Sequence, residues 1–166
     1  MQKQNPLWLE KKLIEPKRLE EAASLLRKNK KTIATLNGSF DLMHAGHLYM
    51  ISQAKLQADC LIVALNSDHS IRQYKSLDRP IVPLQYRLEM MAALEFVDYV
   101  TWFDELDPCQ FILKVKPDVH VNGIEYGEKC VEASTVIACG ARLHLVSRIP
   151  SLSTSELIKK ILQCAI

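Results

Sequence analysis

His44 and His47 bracket a glycine in the stretch Asn37-Gly38-Ser39-Phe40-Asp41-Leu42-Met43-His44-Ala45-Gly46-His47. An imidazole can donate to a phosphoryl oxygen, and Gly46 has no Cβ to hold such a group away. The apolar run Ile33 to Leu36 precedes the stretch and a helical pattern follows it, so both histidines fall where a strand turns into a helix. Free backbone N–H groups at a helix start attract anions, and the combination is expected to seat a polyphosphate. As a metal site the pair lacks a third ligand nearby, and no protein-held metal is expected.

The elements that must carry this stretch are legible around it. Cys60 to Leu65 is apolar on both faces, as a buried parallel strand is. Tyr99 to Phe103, Val119 to Val121 and Arg142 to Val146 read as further strands. The helical segments are Pro16 to Leu26, Leu48 to Lys55, Leu84 to Glu95, Pro108 to Val115 and Lys129 to Cys139. Such alternation predicts an α/β fold, a Rossmann-like doubly wound parallel sheet of about five strands with helices on both faces. Its ligand site belongs beyond the carboxyl ends of the strands. Residues 1–15 are expected to form an arm or short helix lying on a single domain spanning 16–166.

Composition narrows the function classes. The 166 residues are 48% hydrophobic and 24% charged, ordinary for a globular chain with a core. A net charge of +2, with scattered basic residues, argues against a nucleic-acid partner. No stretch approaches the ~20 apolar residues of a membrane span, and the start lacks a signal-peptide core, so no membrane partner and a cytoplasmic address are expected. Five dispersed cysteines without a Cys-x-x-Cys pair suggest neither disulfides nor zinc. His69, His120 and His144 carry no motif and are expected on the surface or satisfied in the core.

Neither a Gly-x-Gly-x-x-Gly nor a Gly-x-x-x-x-Gly-Lys-Ser/Thr motif is present. Instead, Gly38 to His47 resembles the signature of the HxGH nucleotidyltransferase superfamily, the cytidylyltransferase-like group. A second element of that superfamily, Ser-Thr-Ser/Thr-x-x-Ile, is matched by Ser153-Thr154-Ser155-Glu156-Leu157-Ile158. Val63 to Asp68, Asp78 to Ile81, Arg87, Ala92 to Val100 and Lys116 to Asp118 are similar to segments of the adenylyltransferases of the ADP-heptose pathway, a likeness running from about Glu15 to Lys160.

This resemblance implies an enzyme that moves AMP from ATP to a heptose 1-phosphate and releases pyrophosphate, with Mg²⁺ held mainly through substrate phosphates. It implies that His44, His47 and Lys75 act on the phosphates. Gly38, Ser39, Phe40, Gly46, Arg87, Gly123, Ser153 and Thr154 would bind nucleotide or phosphate. A homo-oligomer, most simply a dimer, is also implied. Ser153-x-x-Glu156 is at the same time a capping box, and Asp41 a turn cap. One segment departs: the family usually has Lys-Gly-Gly-Asp-Tyr where this chain has Asn122-Gly123-Ile124-Glu125-Tyr126, which alters charge, backbone freedom and reach near the ligand. A cytidylyltransferase for glycerol 3-phosphate or another polyol phosphate, and a nucleotide-binding protein without turnover, stay open as alternatives.

Overall fold

The computed structural model describes residues 5–147, 149 and 152–164, so residues 1–4 of the expected arm lie outside it. Its strands are β1 (Ile33–Gly38), β2 (Cys60–Asn66), β3 (Tyr99–Phe103), β4 (Val119–Gly123) and β5 (Arg142–Val146). All pair in parallel in the order β3-β2-β1-β4-β5. This is the doubly wound Rossmann-like sheet expected from the alternation. The winding direction reverses between β1 and β4, which opens a crevice at their carboxyl ends.

Alternating side chains divide the core in two. Ala34, Leu36, Leu61, Val63 and Leu65 face helices α1 (Leu7–Lys12), α3 (Ala45–Lys55) and α5 (Leu84–Ala92). Ile33, Ile62 and Ala64 face α2 (Leu19–Lys28), α6 (Cys109–Val115) and α7 (Ala133–Ala138). Central β2 is buried along its whole length, as its two-sided apolar run requires. In α2, Leu19 and Ala23 are buried and Ala22 and Leu26 pack against that core, the helical spacing read from the sequence.

Several boundaries differ from those expected. Residues Pro16–Arg18 form a 3-10 turn ahead of α2. The helix expected from Lys129 begins only at Ala133, preceded by Glu132, which is 4% exposed. Helix α4 (Asp68–Tyr74) was not foreseen at all. The basic run at Arg27 is not only solvated: Arg27 donates to the carbonyls of Val115 and Lys116 at the end of α6. In the N-terminal segment, Leu9 is 2% exposed and Ile14 N–H donates to Val100 O at 2.8 Å, along the outer edge of β3. Among the described residues no helix is long and apolar enough to cross a membrane, and all five cysteines are free thiols.

Candidate active site

A cleft of about 220 Å³ lies beyond the carboxyl ends of β1 and β4. Its first wall is the turn that leaves β1. Phe40 sits there in the left-handed region at φ 45°, strain that a non-glycine residue bears only where its surroundings fix it. Its buried ring packs over Gly38, where a Cβ would stand 3.1 Å from Phe40 Cε2, and meets His47 edge-on at 5.3 Å.

His44 is the N-cap of α3 and its Nδ1 accepts from Gly46 N–H at 3.1 Å. An accepting Nδ1 places the ring proton on Nε2, a donor. The His44 and His47 rings stack 3.8 Å apart, and both line the cleft. Space at Gly46 is tight: a Cβ would lie 3.0 Å from the His44 ring and 3.4 Å from Leu152 Cβ. One expectation is corrected here. Gly46 and His47 do not leave their N–H groups for a ligand, since the first goes to His44 Nδ1 and the second to His44 O. The imidazoles, not these amides, present the donors on this wall.

Three cations converge behind and beside the turn, with different fates. Arg79 pairs with Asp41 at 2.6 Å, and Asp41 also accepts from Val82 N–H at 2.8 Å. Burial works against the Asp41 charge but is outweighed by the N–H groups of Val82 and Ile81 and by Arg79, so its carboxyl lies below the usual range. Asp41 therefore ties the turn to residues 79–82 rather than capping it.

Arg87 is fully buried and lies off the cleft wall, contrary to a direct phosphate contact. Its guanidinium donates to Val82 O at 2.8 Å, Ser39 O at 2.6 Å, Asn66 O at 2.8 Å and Asp68 Oδ1 at 2.7 Å. Every fork of the side chain is spent on gathering the segments behind the cleft.

Lys75, just past α4, differs from both arginines. Its Nζ donates to Ser39 Oγ at 2.9 Å and, among the described residues, no carboxylate stands within ion-pair distance. Desolvation by the surrounding walls, and then the charge of Arg79, hold its ammonium below the ordinary lysine value. Burial pushes the neighbouring Tyr74 phenol up, with the nearby Ser39 hydroxyl working against that shift.

The far wall comes from the start of α8 (Thr154–Cys164) and the end of β4. Ser153 and Thr154 line the cleft, and Ser153 Oγ accepts from Glu156 N–H at 3.1 Å, so the serine caps the helix and keeps its own O–H as a donor. Gly123 lines the cleft beneath the Glu125 carboxylate, so close that a Cβ there would collide with it.

Ten of the eleven site residues expected from the sequence thus share one cleft, Arg87 being the exception. Asn37 and the departing residues Asn122 and Tyr126 line it as well, together with Met50 and Leu152, which the sequence does not mark. A signal for α4, which delivers Lys75, was available in Ser67-Asp68: Ser67 Oγ caps the helix by accepting from Ser70 N–H at 3.1 Å. His69 lies beside Gln73, His144 beside Arg142, and His120 is buried.

A parallel sheet that reverses at β1 and β4, with imidazole, ammonium and hydroxyl donors around the crevice, defines a Rossmann-like protein built to hold an anionic ligand. The chain belongs to the cytidylyltransferase-like family, whose model matches residues 35–159. The bifunctional protein HldE of Campylobacter jejuni strain RM1221 is 41% identical over 145 residues, covering 87% of this chain and 31% of that protein. The protein of the same name from Koribacter versatilis is 39% identical over 150 residues, again 31% of its length. The chain therefore spans about a third of these curated relatives.

Among solved structures, a lipopolysaccharide core biosynthesis protein from Thermoplasma volcanium matches with TM-score 0.58 and 27% identity over 72% of this chain and 97% of that one. The fold is also that of a pantoate-beta-alanine ligase from Francisella tularensis, with TM-score 0.57, 15% identity, and 92% and 79% of the two chains covered.

Proposed function

We propose that this chain transfers AMP from ATP to the phosphate of a heptose 1-phosphate and releases pyrophosphate. The observation that carries the reading is the convergence of His44, His47, Lys75, Ser153 and Thr154, from three remote parts of the chain, on one cleft. Kinship with the HldE proteins and with a lipopolysaccharide core biosynthesis protein favours the heptose acceptor.

A sugar phosphate has a second pKa of about 6 and is largely dianionic at neutral pH, so its oxygen attacks without a general base. That oxygen forms the new bond to the α-phosphorus in line with the departing group. The bond from the α-phosphorus to the bridging oxygen breaks, and pyrophosphate leaves with the electron pair. Repulsion between two anions and charge gathering on the leaving oxygens are the obstacles. His44 and His47 are the donors to the α- and β-phosphates; Lys75 draws the acceptor phosphate beside them; Ser153 and Thr154 hold the β- and γ-phosphates. Arg87 serves by fixing Ser39 rather than by touching substrate.

The donor set fits a magnesium ion carried on phosphate oxygens: imidazole, ammonium and hydroxyl groups would hold the phosphates, with the Glu125 carboxylate on the cleft wall. When bound, Mg²⁺ would neutralise charge on the triphosphate.

Purified protein with ATP, Mg²⁺ and D-glycero-β-D-manno-heptose 1-phosphate is expected to release pyrophosphate. Release with CTP and glycerol 3-phosphate instead would move the assignment to a polyol-phosphate cytidylyltransferase. ATP binding with no product from any sugar or polyol phosphate would leave a non-catalytic nucleotide binder.

A further inference from the structure

The β4 side of the cleft is held from beneath by buried side chains that the proposed chemistry does not use. His120, on β4, is fully buried, and its Nδ1 lies 2.8 Å from Thr35 Oγ1 on β1. Its Nε2 faces Glu132 Oε1 at 3.7 Å, within ion-pair range but beyond hydrogen-bond length. Glu132, 4% exposed, accepts the Asn122 side-chain N–H at 2.6 Å, and Asn122 Oδ1 in turn accepts Gly123 N–H at 2.8 Å.

Both ends of the Asn122 amide are thereby engaged. Asn122 and Gly123 line the cleft, whereas Glu132 and His120 do not. A buried carboxylate is costly unless its oxygens find partners, and Glu132 has the Asn122 N–H at 2.6 Å and the His120 ring at 3.7 Å. Burial pushes its carboxyl up but is outweighed, first of all by His120, which leaves it below its ordinary value and ionised.

We infer that Glu132 is a positioning residue: through Asn122 it fixes the end of β4 and the turn Ile124–Tyr126 against the bound nucleotide, with His120 and Thr35 as its footing. The inference rests on the nucleotidyltransferase reading. The turn leaves β4 at the reversal of strand order, which is where nucleotides lie in such sheets, and the start of α8 borders the same space. Lys75 enters from the β2 side, next to Ser39. Removing the Glu132 carboxylate frees the Asn122 amide, and the turn loses its fixed approach to the nucleotide. The reacting phosphates are held elsewhere, so the chemical step is spared.

The test measures ATP affinity by calorimetry, and KM and kcat by pyrophosphate release, for Glu132→Ala, Asn122→Ala, the double variant and Glu132→Gln. Glu132→Ala is expected to weaken ATP binding and raise its KM about tenfold, the worth of one charge-assisted hydrogen bond, with kcat within about twofold. Glu132→Gln keeps a carbonyl for Asn122 and is expected to recover most of that loss. The double variant is expected to be no worse than the poorer single one, because both changes cut one link.

Unchanged ATP affinity in Glu132→Ala, full additivity in the double variant, or equal losses in kcat and affinity that follow the melting midpoint would overturn the inference. Should Glu132→Ala fail to fold, Asn122→Ala and Glu132→Gln carry the same comparison. A wild-type chain that neither binds ATP nor releases pyrophosphate overturns the functional reading and this inference with it. A wild-type chain that binds ATP beside an unaltered Asn122→Ala overturns the inference alone.

Discussion

The two strands that border the cleft are finished in opposite ways. At the end of β1, a local turn does the shaping: Gly38 admits the Phe40 ring, Phe40 takes a left-handed backbone, and His44 caps its own helix. At the end of β4, the shape depends on partners distant in sequence, with Asn122 tied to Glu132 and His120 to Thr35 across the sheet. The imidazoles of the first arrangement stand in adjacent residues, braced from behind by Arg79 and Arg87, so their chemistry can be read directly. The second is a buried polar chain whose members carry no pattern, and only the fold reveals that they meet.

The sharpest way to break this contrast is on the β1 side. His44→Ala should lower kcat for pyrophosphate release by a factor on the order of hundreds, the cost of a donor aimed at developing charge. Near-normal turnover would take the imidazole out of the mechanism.

Arg87→Ala strikes the support behind the same wall. It strands the carbonyls of Ser39 and Asn66 and the carboxylate of Asp68, and should cost about 3 kcal/mol, a fall of the melting midpoint on the order of 10 °C. Arg87→Ala that melts like wild type but loses phosphate binding would return the arginine to the substrate.

Acid should weaken both sides. Asp41 and Glu132 lie below their ordinary values in the folded chain, so the unfolded chain takes up protons first as pH falls. The stability they contribute is intact above the ordinary carboxyl values and is lost as pH drops through the depressed folded ones. Melting midpoints recorded from neutral to acidic pH should therefore decline less steeply in Asp41→Asn and in Glu132→Gln than in wild type; parallel curves would remove these groups from the acid response.

The smallest effect is expected at Ser39. Ser39→Ala takes the acceptor from the Lys75 ammonium and should raise KM for the sugar phosphate about fivefold while Ser39→Thr restores it.

What could be read in advance follows the same division. Strand positions, their parallel pairing and the site beyond β1 came from apolar runs and turn chemistry, which are local. Lys75 and Arg87 looked alike as basic residues near the motif. Burial separates them: Arg87 has carbonyls and Asp68 on all sides, whereas Lys75 has one hydroxyl and no carboxylate among the described residues. Helix α4 was missed because its seven residues are too short to establish a period. The burial of Glu132, just before α7, was missed because nothing in Glu128 to Glu132 tells a solvated glutamate from a buried one.

The pairing of Ile14 with Val100 bears on where this protein can be cut. The family match starts at residue 35, yet Leu9, Ile14, Leu19 and Ala23 are buried upstream of it, and the outer side of β3 has its neighbour there. A fragment trimmed to the recognisable portion would bare a raw strand edge and a greasy face together, and such edges recruit other chains. The stretch that the family model matches is thus smaller than the stretch that keeps this edge and face covered.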